Sequence, residues 1–310
     1  MTSNIKFLVT STKYTLRLFQ AYLNKTMVGN YSLSLIVLSM LATCNALQQK
    51  SPSGLGIESF STIETALTTD LYNAKVQQLS TKVMISTGGP RSSATKTTEV
   101  IDSEDSNVIC EDLEDFPIEI ADAVGANLAS MAIICGGLVD TGSSHSSDKC
   151  FKYMDKGWKR FATMIERRFS AAGIVYENAF HIFGGRDYDT STTLQSSEIV
   201  KEDGSSTEGP QLPTPTYLHA IASINSTVSI ITGGRTNAYT YTDKTWYYNH
   251  ASQEFQPGPT LLEARYRHSS GSVTDHETKE KMSIIAGGDG SNGYLDSTEI
   301  LLNGEWMAGM

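Results

Sequence analysis

A double glycine that returns five times, each time at the end of a short apolar run, constrains this chain more than any other feature. Val83–Thr87 leads into Gly88-Gly89, Met131–Cys135 into Gly136-Gly137, and Phe180–Phe183 into Gly184-Gly185. Val228–Thr232 leads into Gly233-Gly234, and Met282–Ala286 into Gly287-Gly288. The first glycines of these pairs lie 48, 48, 49 and 54 residues apart. Apolar runs this short have strand length rather than helix length. A glycine pair after such a run marks a tight turn, or a place where another backbone comes too close for a Cβ. A unit recurring at about 50 residues signals stacked copies of one supersecondary element, each burying its face against the next. The expected class is all-β.

The rest of each repeat agrees. A polar loop follows the glycines, then a second strand: Thr98–Ile101, Lys149–Tyr153, Ser197–Val200, Thr245–Tyr248 and Ser297–Leu301. Three of these strands share Ser or Thr, then Glu, then an aliphatic pair. A turn and an outer strand carrying an aromatic come next, at Trp158, Phe255 and Trp306. Proline-containing connections such as Gly209–Pro213 and Gly258–Leu261 lead to the following repeat.

In these features the chain resembles the kelch-repeat family over residues 80–310. The resemblance implies a β-propeller of five recognisable four-stranded antiparallel blades around a central channel. It implies that Tyr153, Trp158, Tyr248, Phe255 and Trp306 fill the wedges between blades. Two repeats depart from the pattern, with Thr207 in the third and Ile109 or Cys110 in the first standing near the expected aromatic. The first repeat shows no innermost strand before Val83, and the sequence stops at Met310 just after an outer strand. The expectation is therefore an open ring that lacks its closing strand or a sixth blade.

Residues 1–46 are expected to form a signal peptide, with or without an upstream extension. Residues 47–80 are expected to be a linker with a short helix, and 81–310 the propeller. No Asp or Glu occurs before Glu58, whereas Lys6, Lys13, Arg17, Lys25 and Lys50 do, so residues 1–57 carry about +5. The whole chain has net charge −10, which leaves a body of about −15 that repels phosphate backbones and argues against nucleic acid. The apolar run Tyr31–Leu47 is shorter than the ~20 residues of a membrane-spanning helix. It ends in Cys44-Asn45-Ala46, which fits cleavage after Ala46, with Met27 as the true start. An uncleaved anchor and a mitochondrial transit peptide are the competing readings. Ser51–Gly56 is a linker by composition. Phe60, Ile63, Leu67, Leu71 and Ala74 recur at helical spacing, which predicts an amphipathic helix.

Cys44 falls in the signal segment, leaving Cys110, Cys135 and Cys150. Cys135 ends one strand and Cys150 lies on the next, so antiparallel pairing would bring them within disulfide reach. Cys110 is the competing partner. Asn225-Ser226-Thr227 is a glycosylation sequon placed between two strands, where a turn would expose it.

No nucleophile elbow, phosphate loop or zinc-protease motif occurs. His219 and His268 occupy similar places in two repeats, a periodicity that fits a structural role better than a metal site. The acidic cluster Asp102, Glu104, Asp105, Glu111, Asp112, Glu114 and Asp115 matches no calcium-loop spacing. No catalytic residue, metal or cofactor is expected.

The functional expectation is a secreted or surface-exposed scaffold that binds a protein or glycan through its loops, with 138–148 and 187–195 the longest. An extracellular carbohydrate-active or oxidase-like enzyme and an intracellular kelch adaptor are the alternatives.

Overall fold

The Gly-Gly pairs do what their spacing suggests, and they do it identically in successive sheets. The first glycine of each described pair has φ between +56° and +65°, the second between +95° and +101°, where side chains with a Cβ are strained. A Cβ on Gly136, Gly184 or Gly233 would land on the carbonyl oxygen of Arg168, Thr216 or Arg265 respectively. Those carbonyls belong to the connection leading into the next sheet. They accept hydrogen bonds from the second glycines, Gly137, Gly185 and Gly234, at 2.8, 2.9 and 2.8 Å. Each of these three pairs thus ties one sheet to the entrance of its successor.

The computed structural model describes residues 4–8, 62–66, 75–79, 82–88, 95–102, 114–129, 131–140, 144–155, 157–237, 240–274, 281–291 and 293–309. Among them every regular element is a strand. Four sheets have four antiparallel strands each. The second sheet comprises Val124–Leu128, Met131–Cys135, Lys149–Met154 and Gly157–Thr163; the third comprises Ala172–Tyr176, Ala179–Phe183, Ser197–Lys201 and Ser206–Glu208. The fourth comprises Ala220–Ser223, Val228–Thr232, Thr245–Asn249 and Glu254–Pro257; the fifth comprises Ser269–Thr274, Lys281–Ala286, Thr298–Leu302 and Glu305–Ala308. The first sheet holds Lys75–Leu79, Lys82–Gly88 and Thr95–Asp102, and is extended by Ile120–Ala121, Leu138–Asp140 and Ser144–Ser146.

In the second, third and fourth sheets the second strand is buried at all but its first residue. Ala132–Cys135, Phe180–Phe183 and Ser229–Thr232 are buried throughout, as continuous apolar runs covered on both faces should be. First strands of successive sheets pack side by side, from Lys75–Leu79 through to Ser269–Thr274, so the sheets are arranged around a common axis. This arrangement is compatible with a β-propeller.

The seams between sheets are filled largely by aromatics. Trp158 packs on Phe116 at 4.9 Å between ring centroids and donates its indole N–H to Thr98 of the first sheet. Tyr153, its cross-strand neighbour, lies against it at 5.4 Å. Tyr248 meets Phe183 of the third sheet at 4.9 Å and Phe255 at 4.8 Å. Trp306 joins the cluster of Ala222, Ile230 and Leu261 from the preceding sheet and donates to the Pro259 carbonyl. In the third sheet the residue in this register is Ser206, opposite Val200, and Thr207 stands one place further on. Phe161 of the second sheet packs against the cluster containing Phe180, Ile182 and Val200 there.

Two expectations fail. Thr62–Ala66, inside the segment read as a helix, is a strand paired antiparallel with Asn4–Leu8. Its three β-branched residues, Thr62, Ile63 and Thr65, suit a pleated pairing better than a helix. The first sheet also has an innermost strand after all: Lys75–Leu79 pairs with Lys82–Gly88. Tyr31–Leu47, Cys44, the Ser51–Gly56 linker, Gly89, Cys110 and the middle of the acidic cluster lie outside the described residues.

Candidate functional site

The strand order sends the polar loops after the second to fifth Gly-Gly pairs to the same end as the connections between sheets. Each loop folds back as a two-stranded hairpin: Leu138–Asp140 with Ser144–Ser146, Arg186–Asp187 with Thr192–Thr193, Arg235–Asn237 with Thr240–Tyr241, and Asp289–Gly290 with Gly293–Tyr294. The connections supply a floor for these hairpins. Phe169, Tyr217 and Tyr266 form isolated bridges to Arg186, Arg235 and Asp289.

Beneath the hairpins runs a ladder that follows the sheets around the axis. Ser170 N–H donates to the Asp122 carbonyl at 2.8 Å, Leu218 N–H to Ser170 at 2.9 Å, and Arg267 N–H to Leu218 at 2.9 Å. All four residues are left-handed, with φ of +53°, +53°, +56° and +57° for Asp122, Ser170, Leu218 and Arg267. Non-glycine residues are uncommon there, and such conformations persist only where the surroundings impose them. The ladder makes this end a rigid rim.

On the rim, arginines lie on tyrosine rings across sheet boundaries. Arg186 of the third sheet sits 5.6 Å from the Tyr217 ring centroid, in the connection to the fourth. Arg235 of the fourth sits 4.2 Å from Tyr266, in the connection to the fifth, and donates to its hydroxyl at 3.2 Å. Among the described residues no carboxylate lies within ion-pair distance of either arginine. Tyr188, at a hairpin tip, and Tyr294, paired with Asp289 at the base of the last hairpin, are exposed.

With this geometry established, comparison with solved structures is informative. One of 282 matching chains, described as "Structure of YjhT", aligns with a TM-score of 0.67 and 12% identity, over 77% of this chain and 84% of that one. YjhT has a propeller-type fold. The chain shares it. At this identity the likeness concerns fold alone. No family model matches the sequence, and no curated protein does.

The other residues singled out in the sequence serve the propeller in different ways. Cys135 and Cys150 are direct cross-strand partners and form a disulfide. Asn225 is exposed in the hairpin turn between two strands of the fourth sheet, where its side-chain carbonyl accepts from Thr227 and Val228 N–H groups. His219 and His268 are buried away from the rim surface, and His268 shares a 2.8 Å hydrogen bond with Thr232. Burial pushes them down to about 4 and about 3 respectively, so both are neutral at pH 7. For His268, the nearby charges of Arg265 and His219 add to that effect.

Two arrangements were not read from the sequence. Arg168 pairs with Glu198 at 2.6 Å and Arg265 with Glu299 at 2.8 Å, all four buried. The second is an aromatic and imidazole cluster in the seam between the third and fourth sheets. Tyr176 stacks on His250 at 4.6 Å, His181 lies 5.1 Å from His250, and His250 bonds Ser229 at 2.8 Å. Burial lowers His181 to about 4 and raises Tyr248 to about 12; burial, then the proximity of His181, lowers His250 to about 4. Among the described residues no three His, Cys, Asp or Glu side chains come together as a metal site would require. A cavity of about 150 Å³ opens at the end opposite the rim, beside Lys281 and Asn303. That is below the ~300 Å³ at which ligand pockets begin.

Proposed function

We propose that this chain is a kelch-type propeller of five blades in an open ring, and that it acts without catalysis as a secreted or surface-exposed scaffold. It binds a protein or glycan partner through the hairpins of its rim. The observation that carries this reading is the construction of the rim itself. Consecutive hairpins present tyrosines and arginines from a floor whose backbone is fixed by the ladder through Ser170, Leu218 and Arg267. Tyr188 and Tyr294 are exposed and Arg186 and Arg235 half-buried; tyrosine and arginine on a rigid support are the residue types that dominate binding energy at interfaces. The kelch reading rests on the five Gly-Gly repeats and the Ser/Thr-Glu strands.

Two features support the extracellular assignment. The Cys135–Cys150 disulfide suits an oxidising compartment, and the Asn225 sequon stands on an exposed turn. No helix among the described residues is long and apolar enough to cross a membrane.

The test is to express the full chain with a C-terminal tag in secretory-competent cells and to apply the medium to cell surfaces and extracellular glycans. The expected product starts at Leu47, carries a glycan on Asn225, and binds in a manner lost on replacing Tyr188 and Tyr294 with serine. Retention inside the cell, unglycosylated, with Met1 or Met27 intact, contradicts the secreted scaffold and favours the adaptor.

A further inference from the structure

We infer that the rim recognises an acidic peptide segment, with Arg186 and Arg235 receiving its carboxylates; this rests on the scaffold reading above. The argument starts from charge. In a chain of net charge −10, cations on the surface ordinarily find local carboxylates. Several here do: Arg167 pairs with Asp189 at 3.1 Å, and Arg267 meets Asp289 at 3.5 Å. Among the described residues Arg186 and Arg235 meet none, although Asp187 is on the hairpin with Arg186. Asp187 instead accepts from the Asp189 N–H and the Thr190 hydroxyl of its own turn.

Both arginines are held on tyrosine faces, and Arg235 is further fixed by the Tyr266 hydroxyl. A guanidinium stacked on a ring keeps its fork of donors available in the ring plane and has already lost rotamer freedom, so less is lost when a carboxylate arrives. That is the preorganisation a two-point anion contact needs. The two arginines come from successive sheets, each across its own boundary. A single small anion would engage one of them, whereas a peptide with several carboxylates can engage both and lay its apolar portions on Tyr188 and Tyr294.

The experiment uses the full secreted chain and a fluorescein-labelled hexaglutamate peptide, read by fluorescence anisotropy at low and physiological salt. Hexaglutamine, hexalysine and an unlabelled glucuronate oligosaccharide serve as comparisons. Saturable hexaglutamate binding that weakens with salt is expected, with hexaglutamine and hexalysine inert. Arg235→Ala should weaken it at least about tenfold, the scale of one charge-assisted hydrogen bond. Arg186→Glu with Arg235→Glu should abolish it, with an unchanged melting temperature. Lys159→Glu with Lys201→Glu, matched in charge but away from the rim, should leave binding within about twofold of wild type, because screened surface charges act weakly at a distance. Equal binding of hexaglutamate and hexaglutamine, or wild-type affinity in the double arginine variant, overturns the inference. So does oligosaccharide binding without peptide binding. A chain that ignores hexaglutamate but still captures a partner through Tyr188 refutes the peptide and spares the scaffold; failure of both removes the scaffold as well.

Discussion

Glu198 is almost wholly buried, and its carboxylate is fully used. It accepts from the backbone N–H groups of Ile165 and Glu166 at 2.6 and 2.9 Å, from Ser206, and from Arg168. Arg168 in turn donates to the carbonyls of Gly184 and Ser196. Glu299 and Arg265 repeat the same contacts with Leu262, Glu263, Gly287 and Ser297. In the fourth sheet the corresponding positions hold Thr216 and Trp246, and in the second Ile120 and Phe151, so among the four four-stranded sheets the charges are present together or absent together, whereas the first repeat has Glu99 with no arginine in the stretch before its Gly-Gly pair. The physics explains this: breaking a buried pair leaves an uncompensated charge, whereas removing both members costs little. Glu198→Ala should therefore lower unfolding free energy by about 3–5 kcal/mol in urea denaturation. Arg168→Thr with Glu198→Trp should cost clearly less than that single change, and a double variant that is the worse of the two would refute the pairing. The Ser/Thr-Glu signature was legible in the sequence as a strand motif. Its partner was not, because Arg168 and Glu198 are 30 residues apart and meet only through the fold.

At the scale of elements, the disulfide and the imidazole seam make separate predictions. Cys135 and Cys150 lie on adjacent strands and close a short loop, with a sequence separation of 15. Replacing both with serine should cost about 3 kcal/mol on the loop-entropy scale, read as a lower melting temperature. A reductant should reproduce the loss in wild type and leave the variant unchanged. The buried histidines give stability a pH dependence. His181, His219, His250 and His268 have folded values depressed to about 4, about 4, about 4 and about 3. Below their unfolded value of ~6.5 the unfolded chain binds more protons than the folded one. Stability is thus fully present above that value and is lost as pH falls towards 4 and then 3. For the wholly buried His219 the loss approaches about 3 kcal/mol. Urea midpoints at pH 7, 5.5 and 4.5 should fall in that order; a flat profile contradicts the burial of these rings. Elements were the least legible part of the sequence. Apolar residues at 60–74 fit a helical period, yet Thr62–Ala66 pairs as a strand with Asn4–Leu8, a partner more than fifty residues away in sequence. Lys75–Leu79, with Gln77 and Gln78 at its centre, is too polar to read as an innermost strand and becomes one by pairing with Lys82–Gly88.

For the whole molecule, the repeat carried most of the information. Five Gly-Gly pairs sufficed for the all-β class and the succession of four-stranded sheets, because the glycines answer a geometric need at the boundaries after the second, third and fourth sheets. The rim was legible only as loops of a certain length. Its active feature depends on one residue after each glycine pair and one aromatic in the following connection, Arg186 with Tyr217 and Arg235 with Tyr266, which no local pattern links. The account's central claim is that this end, and not the opposite one, meets the partner. Photo-crosslinking of the full chain tests it most directly, with p-benzoylphenylalanine placed at Tyr188 or Tyr294 on the rim, or at Asn303 in a turn at the far end. The account predicts one discrete adduct from both rim positions, absent at Asn303 and lost when unlabelled wild-type chain is added in excess. An adduct from Asn303 with none from Tyr188 or Tyr294 would place recognition at the other end and contradict it.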